Sequence, residues 1–410
     1  MKLSIIICLY NTDKKYFSEC LRSLTESTLP KSCYELVVID DGSTVDYSDV
    51  LKEYKVKYKK TENRGIFLSR LEGIATASGE YITFVDSDDS VSCNYHYPML
   101  IEAIDNSSDI VFNDWAFHSE KSKYYCKLDS TISKTFFAEG DGTLIGFTRN
   151  KGREHAYYVL WNKIFKASLM KKVREAVLPT ANRGERFNYG EDTLMNFFAF
   201  QLADRVTNVH TGYYYYRLHS NQSVNVVSEE RLESQIECMS EAFDVMLDGI
   251  VDNTHREKVR DNIIKWRELM SRTHYSHAKA NKYCHLYEII RQKYKVSKLR
   301  RSKISDSYVY AVTKLLPQNI DLIDSALVGI WNENSVQLIN PSGAGKYAQK
   351  TLDFIKACKG NVEYSKDGLR LPKPRVKLIN KIIRNPMVYY VGLILFPKGS
   401  KARAFLKKHI

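Results

Sequence analysis

Short apolar runs alternate with amphipathic segments in the first part of the chain. Residues 3–9, 35–39 and 81–85 are rich in β-branched and aromatic side chains, which predicts strands buried on both faces. Between them, residues 15–27 and 65–79 carry apolar side chains at helical spacing. This alternation predicts βαβ units and an α/β fold with a largely parallel sheet.

Less regular elements follow, up to about residue 225. The predicted elements are a short helix at 46–54, a weak strand around Tyr58, a helix at 95–104, a strand at 109–112, an aromatic strand or turn at 160–165, a short helix at 171–176, a buried helix that begins at Glu191-Asp192, and a closing hairpin of 206–209 with 212–217. The α/β pattern is therefore expected to end near residue 225.

The second half of the chain changes character at about residue 229. Apolar residues recur there with a helical period through about residue 290, which predicts a mainly helical C-terminal domain. We therefore expect an α/β domain at 1–225, a helical domain at 226–320 and a C-terminal region at 321–410.

The C-terminal region ends in a basic segment. After Asp367 the sequence has no acidic residue, and basic side chains flank the apolar run at 387–396. This run is well short of the roughly 20 residues of a membrane-spanning helix. Residues 370–410 are therefore predicted to bind an anionic membrane surface as an interfacial element. The alternative is a docked C-terminal helix with a solvated basic rim.

Composition and charge narrow the classes of partner. The 410 residues are 44% hydrophobic and 27% charged, which is typical of a folded protein with more than one domain. The formal net charge of +13 favours an anionic partner: nucleic acid, a membrane surface or a phosphorylated substrate. Because the positive charge lies mostly outside the α/β half and no nucleic-acid-binding module is recognisable, we do not expect nucleic acid to be the partner.

The cysteines and the amino terminus indicate the compartment. The eight cysteines are scattered, without a Cys-x-x-Cys pair, which argues against a zinc site or a dithiol motif. The amino terminus leads directly into a strand and shows no secretory signal. We therefore expect a reducing, cytoplasmic setting.

Acidic clusters follow predicted strands at two places. Asp40-Asp41 ends the second strand, and Asp86-Ser87-Asp88-Asp89 ends the fourth. Ligands of α/β sheets bind beyond the carboxyl ends of the strands, and carboxylates packed there repel one another unless a cation lies among them. The clusters therefore predict a divalent cation that binds a diphosphate substrate. The alternative is an Asp-rich turn, since Asp and Ser are common turn residues.

These clusters belong to a longer series of motifs. The segments are 4–11, 37–44, 63–65, 69–70, 79–89, 161–163, 190–192 and 216–219. In this order and on these elements, they resemble the motifs of the inverting glycosyltransferases of family 2, over about residues 1–225. That family has the GT-A fold, a Rossmann-like mixed sheet that is mostly parallel. The departures are small: Leu9 replaces a common Pro, and Leu71 a common Asn.

The resemblance implies a nucleotide-sugar site. Asp41, with Asp40 beside it, would accept a hydrogen bond from the base or ribose of a nucleotide, most often uridine, since a carboxylate suits the imide N–H of uracil. Tyr10 would stack near the base, and Arg70 would neutralise a phosphate or hold the base pocket together. The implied nucleotide-sugar-binding residues are Leu9, Tyr10, Asn11, Asp40, Asp41, Arg70, Asp86 and Ser87.

The resemblance also implies a divalent cation, Mn²⁺ or Mg²⁺, which would bridge the two phosphates and stabilise the leaving diphosphate. Asp88 would bind the metal directly, and Asp86 would assist through the ribose or a water. His219 is a further candidate metal ligand, although an isolated histidine is more often structural.

The implied general base is Asp192. It would take the proton of an acceptor hydroxyl that attacks the anomeric carbon opposite the leaving group. Glu191 is the less favoured base, and would orient the acceptor or Asp192. The implied acceptor-binding residues are Trp161, Asn162, Lys163 and Glu191. The Trp161 ring could be a platform for a sugar or, equally, a core side chain.

The sequence therefore predicts a metal-dependent inverting glycosyltransferase. It would move a sugar from a UDP-linked donor to a hydroxyl of a growing cell-surface glycan, polysaccharide or glycolipid, at the cytoplasmic face of the membrane. The alternative is a GT-A-like binding or assembly protein whose helical C-terminal half forms homo-oligomers or docks a partner.

Overall fold

Strands and helices alternate along the chain much as the hydrophobic pattern predicts. The computed structural model describes residues 1–113, 115–119, 125–128, 138–140, 142–149, 155–181, 187–209, 212–218, 228–251, 255–300, 336–339, 363–365 and 368–370. The strands are β1 (Leu3–Leu9), β2 (Tyr34–Asp40), β3 (Val56–Lys60), β4 (Tyr81–Asp86), β5 (Ser90–Val91), β6 (Ile110–Phe112), β7 (Trp115–Ser119), β8 (Tyr125–Leu128), β9 (Ala138–Glu139), β10 (Lys163–Lys166), β11 (Arg205–Asn208), β12 (Tyr214–Leu218), β13 (Val336–Ile339), β14 (Glu363–Ser365) and β15 (Gly368–Arg370). The helices are α1 (Lys14–Thr25), α2 (Ser48–Leu51), α3 (Ile66–Thr76), α4 (His96–Asp105), α5 (Gly142–Arg149), α6 (His155–Tyr158), α7 (Ala167–Ala181), α8 (Glu191–Leu202), α9 (Glu229–Asp248), α10 (Arg256–Asn281) and α11 (Leu286–Lys293).

A mixed sheet forms the centre of the α/β half. It has eight strands in the order β3-β2-β1-β4-β10-β6-β11-β9. β3, β2, β1 and β4 pair in parallel, and β11 pairs in parallel with β6. β10 is antiparallel to both of its neighbours, and β9 is antiparallel to β11. The prediction of an α/β fold with a mostly parallel sheet is therefore confirmed.

Both faces of this sheet are covered by helices. Along β1, Ile6 joins an apolar cluster that includes Phe67 of α3, whereas the alternate residues Leu3, Ile5 and Ile7 join a second cluster that includes Phe17 of α1. α3 approaches β1 so closely that a Cβ added at Gly73 would lie 2.3 Å from Cγ2 of Ile6. The continuous apolar run of β1 thus reflects burial on both sides.

The sheet ends on one side at β3, the weak strand predicted around Tyr58. Most side chains of β3 are exposed, among them Lys57, Lys59 and Lys60. Lysines on an edge strand oppose pairing with another chain, because their charge must stay in water. β3 therefore closes the sheet while lacking the apolar pattern of the inner strands.

The helices after residue 229 pack onto the α/β half and share its core. Trp266 of α10 contacts Phe147 of α5 and Phe243 of α9, at ring-centroid distances of 5.7 and 5.6 Å. Leu286 and Ile290 of α11 belong to the same apolar cluster as the sheet residues. The prediction of a mainly helical segment after residue 229 is confirmed for α9, α10 and α11.

One predicted element was wrong, and the bounds of another were too narrow. Residues 206–217 do not form a hairpin: β11 pairs with β6 and β9, whereas β12 pairs with β5 and β7 in a separate three-stranded sheet. Each strand takes distant partners because Val206 is buried in one apolar cluster and Tyr214 in the other. The helix predicted at 171–176 is too short, since the buried face of α7 extends from Ala167 to Ala181.

Several sequence predictions fall outside the described residues. They concern His219, the apolar run at 387–396 with its basic flanks beyond Arg370, and the rest of the C-terminal region at 321–410 apart from the short strands β13, β14 and β15. Within the described ranges, no helix combines the length and the apolar character needed to cross a bilayer.

The shared core predicts cooperative unfolding of the α/β half and the helices. Replacing Phe243→Ala removes a fully buried ring from between α9 and α10, and should lower the free energy of unfolding by about 3–5 kcal/mol. Urea unfolding followed by far-UV circular dichroism and by tryptophan fluorescence should show one transition that moves as a whole. Val251→Ala, at a residue 52% exposed, is the control and should change stability by less than about 0.5 kcal/mol. A split into two transitions, with only one displaced, would contradict the shared core.

Candidate active site

The register of the parallel strands brings the predicted site segments to one edge of the sheet. Leu9 pairs with Asp40, and Cys8 pairs with Asp86. The loops that follow β1, β2 and β4 therefore leave the sheet side by side. The two acidic clusters, separated by more than forty residues in sequence, lie at the same edge.

Asp41 joins the end of β2 to the start of α3. Its buried carboxylate accepts the backbone N–H of Arg64 at 2.8 Å through Oδ1 and that of Gly65 at 2.9 Å through Oδ2. Gly65 has a φ of +94°, a value that only glycine adopts readily, and a Cβ there would lie 2.4 Å from Oδ1 of Asn188. Asp41 thus fixes the loop that leads into the helix of Arg70.

Asp40 has a local role in the same turn. Its Oδ1 accepts the N–H of Ser43 at 2.8 Å, and its Oδ2 accepts the hydroxyl of Tyr58 at 2.6 Å. The carboxylate is fully buried. These contacts tie β2 to the edge strand β3 and shape the turn after Asp41.

The three residues at the end of β1 differ in what they present. The Leu9 side chain is buried in the core, and its carbonyl accepts the N–H of Asp41 at 2.8 Å. Tyr10 is 52% exposed. Asn11, at a φ of +49°, accepts the N–H of Thr44 at 2.9 Å through Oδ1. Leu9 and Asn11 therefore hold the neighbouring loops, while the Tyr10 ring is available for stacking.

Hydrogen bonds hold the acidic turn after β4 at Ser87 and at Asp89. The Oγ of Ser87 lies 2.6 Å from Oγ1 of Thr12. Asp89 is buried and accepts the Tyr214 hydroxyl and the backbone N–H of Arg217, each at 2.7 Å. Asp86 and Asp88 are partly exposed. The turn thus anchors Asp89 in the protein and leaves the carboxylates of Asp86 and Asp88 nearest to solvent.

Asp86 and Asp88 fit a divalent cation that is shared with a substrate. The pKa of Asp86 is raised to about 6. Burial is the largest cause; Arg70 acts in the opposite direction, and the negative charges of Asp88 and Asp192 add to the rise. A cation among these carboxylates would relieve the repulsion. Among the described side chains, no group of three or more His, Cys, Asp or Glu residues could hold a metal by itself. Mg²⁺ and Mn²⁺ suit such a partial site, because phosphate oxygens and water complete their coordination.

Arg70 is a buried bridge between two ends of the site. Its NH1 donates to Oε1 of Glu191 at 2.5 Å, and its NH2 lies 3.5 Å from Oδ1 of Asp86. Burial by itself would lower the pKa of Arg70, but Glu191, Asp86 and Asp192 raise it above its ordinary value. The guanidinium therefore stays charged and connects the acidic turn to the start of α8.

Glu191 and Asp192 lie in the first turn of α8, where the helix dipole favours negative charge. The preceding residue, Gly190, has a φ of +83° and turns the chain into the helix. The pKa of Glu191 is raised to about 7, because the effect of burial exceeds the lowering by the neighbouring Arg70. Burial also raises the pKa of Asp192, which is less buried than Glu191 and accepts the N–H of Thr193 at 2.7 Å. Asp192 is thus the more accessible of the two carboxylates.

The segment 161–163 lies at the same edge but is buried. Trp161 is 3% exposed and stacks on Tyr214, with a centroid distance of 4.3 Å and an interplanar angle of 17°. The ammonium of Lys163 donates to the carbonyl of Val159 and to Oδ1 of Asn162, and lies 4.6 Å from the ring centroid of Phe112. The structure therefore shows Trp161 as a core side chain and not as an exposed platform for a sugar.

Sequence reasoning missed the residues that hold the acidic turn. Arg217 and Tyr214 lie on β12, and Glu19 of α1 pairs with Arg217 at 2.6 Å. The one available signal was the segment 216–219, in which an arginine follows a run of tyrosines on a predicted strand. Its partners lie more than a hundred residues away, at Asp88 and Asp89.

The amino-acid sequence is similar to a known family and to several known proteins. Residues 4–173 match the family model described as "Glycosyl transferase family 2". The glycosyltransferase GlyA of Streptococcus pneumoniae serotype 4 is 27% identical over 256 residues, which cover 60% of this chain and 34% of GlyA. The putative glycosyltransferase EpsH of Bacillus subtilis is 29% identical over 246 residues, which cover 57% of this chain and 65% of EpsH.

A further relative and two solved structures extend the likeness. The poly(ribitol-phosphate) beta-glucosyltransferase of Bacillus spizizenii is 31% identical over 231 residues, which cover 53% of this chain and 32% of that enzyme. The chain thus spans less than two thirds of the length of each of these relatives. S. aureus TarS 1-349 in complex with UDP-GlcNAc matches with a TM-score of 0.56 at 19% identity, covering 92% of this chain and 97% of that one. A second structure of S. aureus TarS 1-349 matches with a TM-score of 0.53 at 20% identity and with the same coverage. The predicted GT-A fold is confirmed.

Removal of the Arg70 bridge should destabilise the protein in a pH-dependent way. Arg70→Met leaves Glu191 and Asp86 buried without their cation, which should lower the free energy of unfolding by about 3–5 kcal/mol near neutral pH. The pKa values of these carboxyls, already raised to about 7 and about 6, rise further without the guanidinium. Stability of the variant is then lost as pH rises through these values, so the deficit should grow from pH 5 to pH 8.

The matched control is Lys59→Met. It breaks a partly exposed ion pair of 2.6 Å between Lys59 and Glu72, a residue on the same helix as Arg70. It should change stability by at most about 1 kcal/mol at any pH. Denaturant unfolding of both variants between pH 5 and 8 measures the difference. An Arg70→Met deficit that is constant over this range would show that the guanidinium does not neutralise these carboxylates.

Proposed function

We propose that this chain, whose residues 4–173 match the model of glycosyltransferase family 2, transfers a sugar with inversion from a UDP-linked donor to an acceptor hydroxyl. One observation carries the proposal: Arg70 joins Asp86, at the end of β4, to Glu191, at the start of α8. The donor-binding segments and the candidate base are thereby brought to one edge of the sheet. A site of this kind can bind a nucleotide diphosphate and remove a proton from a nucleophile.

The donor would bind across the ends of β1 and β2. Tyr10 would stack near the base. The Asp41 carboxylate, which already accepts the N–H groups of Arg64 and Gly65, would accept one further hydrogen bond from the uracil imide or the ribose. Leu9, Asn11, Asp40 and Ser87 would shape this pocket through the loops that they hold. The solved structure of S. aureus TarS 1-349 in complex with UDP-GlcNAc supports a donor of this chemical class.

The diphosphate would lie near the acidic turn. Asp88 would bind Mn²⁺ or Mg²⁺ directly, with Asp86 beside it and His219 as a further candidate. When bound, the cation stabilises the negative charge that develops on the leaving diphosphate. Arg70 would act behind these residues, since its guanidinium is buried and already bonded to protein carboxylates.

Asp192 would act as the general base. Its raised pKa makes it a better proton acceptor near neutral pH than an ordinary aspartate. Glu191, fixed by Arg70, would hold the first turn of α8 so that Asp192 meets the acceptor hydroxyl on the side opposite the diphosphate. Trp161, Asn162 and Lys163 would support the acceptor pocket from within, because all three are buried.

The acceptor would be a growing cell-surface glycan, polysaccharide or glycolipid at the cytoplasmic face of the membrane. The poly(ribitol-phosphate) beta-glucosyltransferase among the relatives supports a polymeric acceptor. Residues 370–410, with basic side chains around an apolar run, would attach the protein to anionic lipid. The helices beyond residue 226 would support homo-oligomers.

Turnover should depend on a divalent cation and on Asp88. Hydrolysis or transfer of UDP-sugars should fall to background with EDTA and return with Mn²⁺ or Mg²⁺. Asp88→Ala should lose at least about 100-fold in kcat/KM, because the diphosphate then leaves without its counter-charge. Asp49→Ala, which removes an exposed ion pair to Lys14, is the control and should leave turnover unchanged. Undiminished turnover of Asp88→Ala would remove the metal assignment.

Transfer should also depend on Asp192, but donor binding should not. Asp192→Asn keeps the size of the side chain and removes its basicity, so kcat for transfer should fall by about 10²- to 10⁴-fold. The affinity for UDP, measured by calorimetry, should stay within about twofold of wild type, as expected for a residue that acts only in the chemical step. Retained transfer by Asp192→Asn would exclude Asp192 as the base.

A further inference from the structure

A buried arginine on β12 has no part in the chemistry proposed above. Arg217 is 2% exposed, although it lies beside the acidic turn. Its Nε donates to the backbone carbonyl of Asp88 at 2.7 Å, and its NH2 donates to the carboxylate of Glu19 at 2.6 Å. The guanidinium thus holds the main chain of the candidate metal ligand from behind.

Further hydrogen bonds from β12 hold the same turn on both sides of Asp88. The backbone N–H of Arg217 donates to Oδ1 of Asp89, and the Tyr214 hydroxyl donates to Oδ2 of Asp89, each at 2.7 Å. The same hydroxyl accepts the N–H of Asp86 at 3.0 Å. The turn is therefore attached to β12 before, at and after Asp88.

Arg217 is itself held in one orientation by α1. Oε2 of Glu19 accepts a hydrogen bond from NH2 of Arg217, and the centroid of the Tyr16 ring lies 4.5 Å from Cζ of Arg217. The planar guanidinium can point one N–H at Glu19 and another at Asp88, whereas a lysine ammonium lacks this fixed fork. Its charge also opposes the mutual repulsion of Asp86, Asp88 and Asp89.

We infer that Arg217 is a positioning residue for the cation site: it holds the Asp88 main chain in the conformation that presents the Asp88 carboxylate to a divalent cation. The inference rests on the proposed function, because it assumes that Asp88 binds the metal. The side chain that touches the cation is that of Asp88, and Arg217 acts through it. Partners of metal ligands contribute in this way by reducing the freedom of the ligand before binding.

The direct test is the affinity of the protein for Mn²⁺ without turnover. Free Mn²⁺ is measured by electron paramagnetic resonance during titration of wild type, Arg217→Lys and Arg217→Met, with and without UDP. Arg217→Met should weaken Mn²⁺ binding by about 10- to 100-fold. Arg217→Lys should fall between the two, because the charge remains and the fork is lost. Glu19→Gln, which keeps Arg217 and removes the carboxylate that orients it, should weaken binding less than Arg217→Met and tests the inference even if that variant does not fold.

The matched control is Arg267→Met in α10. It removes a largely buried arginine, whose side chain is 13% exposed, from an ion pair of 3.4 Å to Asp244. This variant should lower the melting temperature and leave Mn²⁺ affinity unchanged. Wild-type affinity in Arg217→Lys and Glu19→Gln would overturn the inference and leave the proposed function intact. Absence of Mn²⁺ binding by wild type in the presence of UDP would overturn the metal clause of the proposed function, and the inference with it.

Discussion

The mutual repulsion of acidic side chains at one edge of the sheet is the constraint on which the rest of the site depends. Asp86, Asp88 and Asp89 lie in one turn, and Glu191 and Asp192 begin the helix that packs near it. The guanidinium groups of Arg70 and Arg217 oppose this repulsion from inside the protein. Because both are buried, each would be costly to leave unpaired, so the acidic residues and the arginines stabilise one another.

The two arginines connect the acidic turn to different elements of the fold. Arg70 connects the turn to α8 and so fixes the separation between Asp86 and the start of the helix that carries the candidate base. Arg217 connects the turn to α1 and β12 and so fixes the turn itself. Such a site is organised before substrate arrives, which is the condition under which fixed charges and dipoles stabilise a transition state most effectively.

The fold and the outline of the site were predictable because their signals are local. Apolar runs predict inner strands, and parallel strands bring their carboxyl ends together, so Asp41 and Asp88 had to share an edge. The partners of Arg217 were not predictable, because Glu19 and Asp88 lie far away in sequence. The burial of Trp161 also depends on a distant residue, Tyr214, which stacks on it. For the same reason the supposed hairpin of 206–217 was wrong, since both of its strands pair elsewhere.

The central claim is that the edge formed by β1, β2 and β4 binds a nucleotide diphosphate through a cation at Asp88. The most direct measurement is a crystal structure with UDP and Mn²⁺, with diffraction collected above and below the manganese absorption edge. The account predicts an anomalous peak at about 2.0–2.3 Å from an Asp88 carboxylate oxygen, in contact with the diphosphate and on the near side of Asp192. A bound diphosphate with no manganese peak at Asp88, or a peak away from this edge, would contradict it.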